Sequence, residues 1–171
     1  LIMSSQLRVD KILPVDGAPT GGGGGIIQIV HSTATSEASQ SGNVTSFADV
    51  GLSASITPKF STSKILVTGY LSWYVYISAV GSAEWNFAVC DGSNNILDGT
   101  TASDQGYRVN ELYSYGGKHP INFLHSPSTT SAFTYKMRMN AKSANQSGDL
   151  VVQRNGTANN ISRLTLMEVS G

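Results

Sequence analysis

Residues 64–78 read KILVTGYLSWYVYIS, and the character of their side chains alternates along this stretch. The odd positions carry the apolar side chains and one glycine: Ile65, Val67, Gly69, Leu71, Trp73, Val75 and Ile77. The even positions are mostly polar or aromatic, with tyrosine at 70, 74 and 76. Because successive side chains of a β-strand point to opposite faces, this pattern predicts a long strand with one face in a core and a second face that carries tyrosines.

The same two-residue period recurs along most of the chain from residue 26 onward. It is clearest in residues 133–142, and the shorter candidate strands are residues 26–32, 52–57, 85–90, 107–113, 121–124, 150–154 and 161–169. Turn-forming clusters such as DGSNN at 91–95 lie between them. Many short strands, with no window that favours a long amphipathic helix, predict an all-β sandwich or barrel.

The last candidate strand, residues 161–169, has apolar side chains on both faces. Leu164 and Leu166 lie on one face, and Met167 and Val169 lie on the other. A strand of this kind is typically covered twice, so we expect a second sheet on one side and either a sheet or a neighbouring subunit on the other.

The composition excludes several classes of partner. The chain has 171 residues with 11 Lys+Arg and 11 Asp+Glu, so its formal net charge is +0. Such a chain does not attract nucleic acid or an anionic membrane by bulk electrostatics. Its one cysteine, Cys90, excludes an internal disulfide, and no apolar stretch is long enough to span a bilayer. We therefore expect no nucleic-acid partner and no membrane insertion.

Signatures of catalysis are also missing from the sequence. There is no Gly-x-Ser-x-Gly nucleophile elbow and no His-Glu-x-x-His zinc motif. The five glycines at 21–25 lead into the strand-like IIQIV at 26–30, whereas a phosphate-binding loop leads into a helix. We expect a non-enzymatic protein with no catalytic residues, no metal site and no cofactor.

The first 25 residues differ from the rest. A short strand-like segment at 8–13 is followed by Pro14, Pro19 and the glycine run, which cannot hold a regular element. We interpret residues 1–25 as an anchoring segment with a hinge, and residues 26–171 as a folded head. The start of the chain lacks the basic and apolar regions of a signal peptide.

Two groups of aromatic residues are candidates for binding. Tyrosine offers a large contact area with a polar tip, which suits a subunit interface or a glycan platform. The tyrosines of the long strand fit the first role better, although sugar binding stays open. A second group surrounds a glycine-rich segment, residues 114–118, that reads as a loop; there, stacking on sugar rings competes with ordinary loop packing. This second group consists of Tyr107, Tyr113, Tyr115 and His119.

Several segments resemble a known family. LRVDKIL at 7–13, FADVGLSASITP at 47–58, FTYK at 133–136 and SRLTLMEV at 162–169 are similar to parts of short tail-fibre or fibre-like virion structural proteins of tailed bacteriophages, including marine and cyanobacterial ones. The resemblance implies a homotrimer with a jelly-roll-like β-sandwich head, similar in outline to C1q/TNF domains. It also implies a virion location after synthesis in the host cytoplasm without a signal peptide, on a tail fibre, a spike or a head decoration.

With this resemblance, roles can be assigned to the candidate residues. The predicted virion anchor, which would contact other phage tail or capsid proteins, consists of Val9, Asp10 and Ile12. The predicted contacts to a host receptor, including a surface glycan, are Tyr107, Tyr113, Tyr115 and His119. The predicted subunit interface consists of Tyr70, Tyr74, Tyr76, Leu164 and Leu166. The alternative function is a soluble carbohydrate-binding, lectin-like β-sandwich module.

Overall fold

A computed structural model describes residues 25–42, 44, 46–77, 81–99, 105–109, 113–142, 148–154 and 160–170. These ranges contain eleven β-strands and no α-helix. They are β1 (Ile26–Ala34), β2 (Ala38–Ser41), β3 (Ala48–Ile56), β4 (Lys64–Ile77), β5 (Gly81–Asp91), β6 (Ile96–Gly99), β7 (Gln105–Val109), β8 (Tyr113–His125), β9 (Phe133–Lys142), β10 (Gly148–Val152) and β11 (Ser162–Val169).

The strands form two antiparallel sheets that face each other. The larger sheet has the order β1-β11-β4-β10-β2, and β8 pairs with the other edge of β4. The smaller sheet has the order β3-β9-β5-β6, with β7 also paired to β5. If β2 and β10 are set aside and β6 and β7 count as one strand, eight strands remain, and we number them 1 to 8 along the chain. In this numbering the larger sheet has the order 1-8-3-6 and the smaller sheet has the order 2-7-4-5. This is the strand order of a jelly roll, so the predicted all-β jelly-roll sandwich is confirmed.

The core lies between the two sheets, and the alternation in β4 determines which of its residues enter it. The apolar odd positions of β4 from residue 65 to residue 75 are buried, as the sequence predicts; they are Ile65, Val67, Leu71, Trp73 and Val75. The smaller sheet contributes the inward residues of β3, β5 and β9, which include Leu52, Phe87 and Tyr135. The ring centroid of Trp73 lies 5.0 Å from that of Trp85 and 6.2 Å from that of Phe87, so aromatic contacts join the two sheets near the middle of the core.

The segment 91–95 forms a hairpin turn between β5 and β6. Asp91 Oδ1 accepts hydrogen bonds from the backbone N–H groups of Ser93 (2.8 Å) and Asn95 (2.9 Å), and Asp91 Oδ2 accepts one from Asn95 Nδ2 (2.7 Å). These hydrogen bonds, above all the one from the Asn95 side chain, hold the pKa of Asp91 below its usual value. An aspartate that bonds the backbone two residues ahead is a common turn device.

The prediction of a loop at residues 114–118 is wrong. These residues belong to β8, which pairs with thirteen consecutive residues of β4, from Ile77↔Tyr113 to Ile65↔His125. The two glycines are paired with β4 like the other residues of the strand. A Cβ atom at Gly116 would lie 2.9 Å from the carbonyl oxygen of Trp73. The close approach of β4 therefore requires glycine there, and the pair reads as a loop only when the partner strand is not known.

The short strands β2 and β6 were not predicted from the sequence, because four residues give too little alternation to be read. The predicted domain boundary after residue 25 adjoins the start of β1 at Ile26. Residues 1–24 lie outside the described part of the chain, so the hinge and the anchoring segment stay predictions.

Candidate functional site on the outer face of the larger sheet

The outer face of the larger sheet carries a row of aliphatic side chains at one end. The register places Leu66 of β4 between Met167 of β11 and Leu124 of β8, and Met167 pairs in turn with Ile29 of β1. Four strands therefore align one aliphatic side chain each, which we call the apolar row. Ile29 is 59% exposed and Leu124 is 53% exposed, while the two central residues are partly buried.

Tyrosines and cations occupy the other end of the same face. Tyr70 and Tyr74 share the outward side of β4 with Tyr76, as the sequence predicts. The Lys118 ammonium lies 4.4 Å from the ring centroid of Tyr70, and the Arg154 guanidinium lies 3.9 Å from that of Tyr74. Both distances are within the range of a cation–π interaction. The tyrosine rings therefore hold two cations at fixed places on the sheet.

A groove with a volume of about 390 Å³ lies between these cations. Its lining includes Tyr74, Lys118, Arg154, Asn160 and the glycines Gly116 and Gly117. A second hollow of about 320 Å³ shares Tyr74 and Arg154 with it and is otherwise lined by residues that include Glu37 and Asp149. The stacked pair of Tyr74 and Arg154 therefore forms the wall between a hollow with cations and a hollow with two carboxylates.

The cations of this groove differ from those of the smaller sheet. Lys136 and Arg138 of β9 both form salt bridges with Asp49, at 3.4 and 2.7 Å. Within the described ranges these are the salt bridges found, so Lys118 and Arg154 have no carboxylate partner there. Among the residues that the structure describes, both cations of the groove are therefore without such a carboxylate partner, whereas the two cations of β9 share Asp49.

The predicted receptor-binding residues do not form one cluster on this face. Tyr115 and His119 are odd residues of β8 and lie on its core side. The ring of Tyr115 packs edge-on against Trp73 at 5.4 Å, and that of His119 lies 4.9 Å from Phe87. Tyr115 keeps half of its surface exposed. The backbone of Tyr107 lies in β7 and that of Tyr113 begins β8, while their side chains fall outside the described part of the structure.

The predicted interface residues divide into two groups. Tyr70, Tyr74 and Tyr76 face outward, and Tyr76 is 44% exposed. Leu164 and Leu166 are completely buried in the chain's own core, so they offer no surface to a neighbouring subunit. The outward face of β11 is that of Met167. The predicted anchor residues Val9, Asp10 and Ile12 lie outside the described residues.

Sequence reasoning missed Lys118, Arg154 and the apolar row. Ile29 and Met167 are 138 positions apart, and only the pairing of β1 with β11 brings them together. Arg154 follows β10 and reaches Tyr74 across the sheet, an approach with no local sequence signal. Within the described ranges, no three His, Cys, Asp or Glu side chains are grouped so that they could hold a metal ion. No helix there is both long and apolar enough to cross a membrane.

Comparisons with known proteins give weak structural likenesses. No family model and no curated protein matches the chain. A chain from the structure of the infectious bursal disease virus Gx strain aligns with a TM-score of 0.41 and 12% identity, over 99% of this chain and 42% of that one. A chain from the T13 particle of the same virus gives 0.42 and 11%, over 94% and 40%. One from deformed wing virus, a honeybee pathogen, gives 0.26 and 13%, over 100% and 52%.

The chain thus spans about two-fifths of the length of the infectious bursal disease virus chains. TM-scores below 0.5 at such identities establish neither a shared fold nor a shared function. The assignment of the jelly roll rests on the strand order of this chain itself.

Proposed function

We propose that this chain is a non-enzymatic structural protein of a bacteriophage virion, a trimeric tail-fibre or fibre-like decoration that supports attachment to the host surface. The observation that carries the proposal is the apolar row. An apolar row that crosses four strands and leaves its two end residues more than half exposed is typical of a surface that another protein covers. The resemblance of the sequence segments to fibre-like virion proteins supplies the class of assembly.

In this proposal the subunit interface is the end of the outer face of the larger sheet that carries the apolar row. The apolar row provides the desolvated centre, and the outward tyrosines Tyr70, Tyr74 and Tyr76 lie beside it on the same face. Three heads on one fibre, and several fibres on one particle, combine weak contacts through their effective concentration. Attachment then needs no tight site in any single head.

The mass of the native particle in solution tests the assembly. We expect light scattering on a size-exclusion column to give roughly 54 kDa, three times the 18.0 kDa of one chain. Leu124→Glu and Ile29→Glu, which introduce a charge at the two exposed ends of the apolar row, are each expected to lower the mass to that of one chain.

Ile96→Glu is the matched control, because Ile96 is also an exposed apolar strand residue (39%) but belongs to β6 of the smaller sheet. It should keep the wild-type mass, and circular dichroism should show that all three variants stay folded. A wild-type monomer, or trimers that tolerate Leu124→Glu and Ile29→Glu, would contradict the proposed interface.

The anchoring role of residues 1–25 has a separate test. Deletion of residues 1–20 removes Val9, Asp10 and Ile12 and leaves every described strand in place, since β1 begins at Ile26. We expect the shortened chain to fold and to be absent from phage particles. Incorporation at the wild-type level would show that the anchor lies elsewhere.

The second candidate function is a soluble carbohydrate-binding module. It is favoured by the groove of about 390 Å³ beside Tyr74, whose volume lies within the usual range of small-ligand sites. Saturable binding of a sugar by a monomeric chain would favour this second function over the fibre.

A further inference from the structure

We propose that the groove between Lys118 and Arg154 binds a saccharide that carries a carboxylate, such as a uronic acid. The proposal rests on the attachment role above, because it names the class of surface ligand that the head would contact. It places the site at the tyrosine end of the outer face and not on the aromatic residues of the core side of β8.

The first argument is that the cations are already positioned. Lys118 lies over Tyr70 and Arg154 lies over Tyr74, so two long side chains are held in place before a ligand arrives. The backbone of Arg154 is also held, because its carbonyl oxygen accepts a hydrogen bond from Asn160 Nδ2 at 2.7 Å. Ordering such side chains on binding normally costs free energy, and a site that is ordered in advance avoids much of this cost.

The second argument is charge. Neither cation has a carboxylate partner among the described residues, while Glu37 and Asp149 line the hollow beyond the Tyr74–Arg154 wall. An anionic group is therefore attracted to the side of this wall that carries the two cations. A guanidinium can donate two parallel hydrogen bonds to one carboxylate, which gives the position of that group a defined geometry.

The third argument is the rest of the lining, which suits a sugar and not a polyanion. Gly116 has no side chain on the outward side of β8, so a ligand can approach the backbone of this strand at the groove. Asn160 and Ser72 add the small polar groups that hydroxyls require. The groove offers two cations, which is enough to bind one acidic group of a ligand. Nucleic acid requires contacts to many phosphates, which a chain with a net charge of +0 does not favour.

The groove is also separate from the proposed subunit interface. Ser72 in the groove is six positions along β4 from Leu66 in the apolar row, which corresponds to about 20 Å of strand. Assembly through the row thus leaves room for a ligand at the other end of the same face.

Isothermal titration of the full chain with a glucuronate-containing tetrasaccharide tests the inference. We expect saturable binding that weakens about tenfold in Lys118→Gln and in Arg154→Gln, since each loses one charge-assisted contact. Lys59→Gln is the matched control, because it removes one exposed lysine charge far from the groove lining and should bind as the wild type does. The carboxyl-reduced tetrasaccharide should bind at least about tenfold more weakly to the wild type.

Three results would overturn the inference: no saturable binding up to about 10 mM ligand, equal binding of the carboxyl-reduced tetrasaccharide, or equal binding by the two groove variants. Inorganic phosphate that binds as tightly as the tetrasaccharide would show a general anion site and would also overturn it. Light scattering on the same samples keeps the two proposals apart. A trimer that does not bind refutes only the groove, while a monomer that binds refutes only the trimeric head.

Discussion

The sharpest structural prediction concerns Gly69, in the middle of the longest strand. A Cβ atom at this position would lie 2.1 Å from the carbonyl oxygen of Arg163 and 2.9 Å from its carbonyl carbon. Both contacts are to backbone atoms of β11, which cannot rotate away as a side chain can. The φ angle of +155° is a second obstacle, because residues with a side chain rarely adopt it.

Gly69→Ala should therefore be strongly destabilising. β4 cannot move away from β11 without disturbing its pairing with β8, which runs along nearly the whole strand. Backbone strain and overpacking each cost about 1–3 kcal/mol, so we expect a loss of about 4 kcal/mol in the free energy of unfolding. For a domain of this size that corresponds to a fall in Tm of about 12 °C.

Gly51→Ala is the control that separates strain from collision. Gly51 has a φ of +74°, but a Cβ there would meet no atom within 4 Å. We expect its substitution to cost about 1–2 kcal/mol, the price of the left-handed conformation alone. Thermal unfolding followed by circular dichroism at equal protein concentration measures both variants. If Gly69→Ala unfolds within about 2 °C of Gly51→Ala, β4 and β11 do not approach as closely as described.

Three further predictions follow from single side chains. Glu168 is fully buried and accepts hydrogen bonds from Gln28 Nε2 (2.5 Å) and the backbone N–H of Lys59 (2.7 Å). Burial alone would raise the pKa of Glu168, but the hydrogen bonds to its carboxylate outweigh burial and lower this pKa. The ionised carboxylate therefore stabilises the fold fully above the usual glutamate pKa, and this stabilisation is lost as the pH falls through the lowered pKa. Glu168→Gln should lower the free energy of unfolding by about 1–3 kcal/mol at neutral pH and should make Tm depend less on pH between about pH 7 and pH 3. A pH dependence of Tm equal to that of the wild type would contradict this. Burial raises the pKa of the Cys90 thiol, so a thiol reagent should modify it slowly in buffer and rapidly in urea, and fast modification of the folded chain would speak against its burial. Asp91→Ala should speed amide hydrogen exchange at Ser93 and Asn95, because both N–H groups lose their acceptor, and unchanged exchange would show that the turn holds without the carboxylate.

The local sequence pattern predicts those features that depend on residues close together in the sequence. The alternation in residues 64–78 identifies which side of β4 enters the core, since only the apolar side can be removed from water. In the same way, Asp91 and the residues after it form their turn through bonds that span at most four positions. These features can therefore be predicted from the sequence alone, because the residues that form them are close together in it.

The local pattern gives a wrong prediction where the surroundings of a residue are formed by a strand that is distant in the sequence. Residues 114–118 read as a glycine-rich loop, yet β4 supplies a partner for each of them and makes them a strand. The apolar side chains on both faces of residues 161–169 predict a subunit interface at Leu164 and Leu166. The structure instead assigns these two leucines to the core and leaves the side of Met167 outward.

By itself, then, the sequence determined an all-β sandwich, the buried face of its longest strand, its outward tyrosines and its lack of net charge. The tertiary structure alone decided the candidate functional surface. The apolar row joins residues 29, 66, 124 and 167 through the register of four strands, and the groove joins Tyr74 to Lys118 and Arg154. Register is set by the packing of the whole core, because a slip of one residue would turn every side chain of a strand to the opposite face.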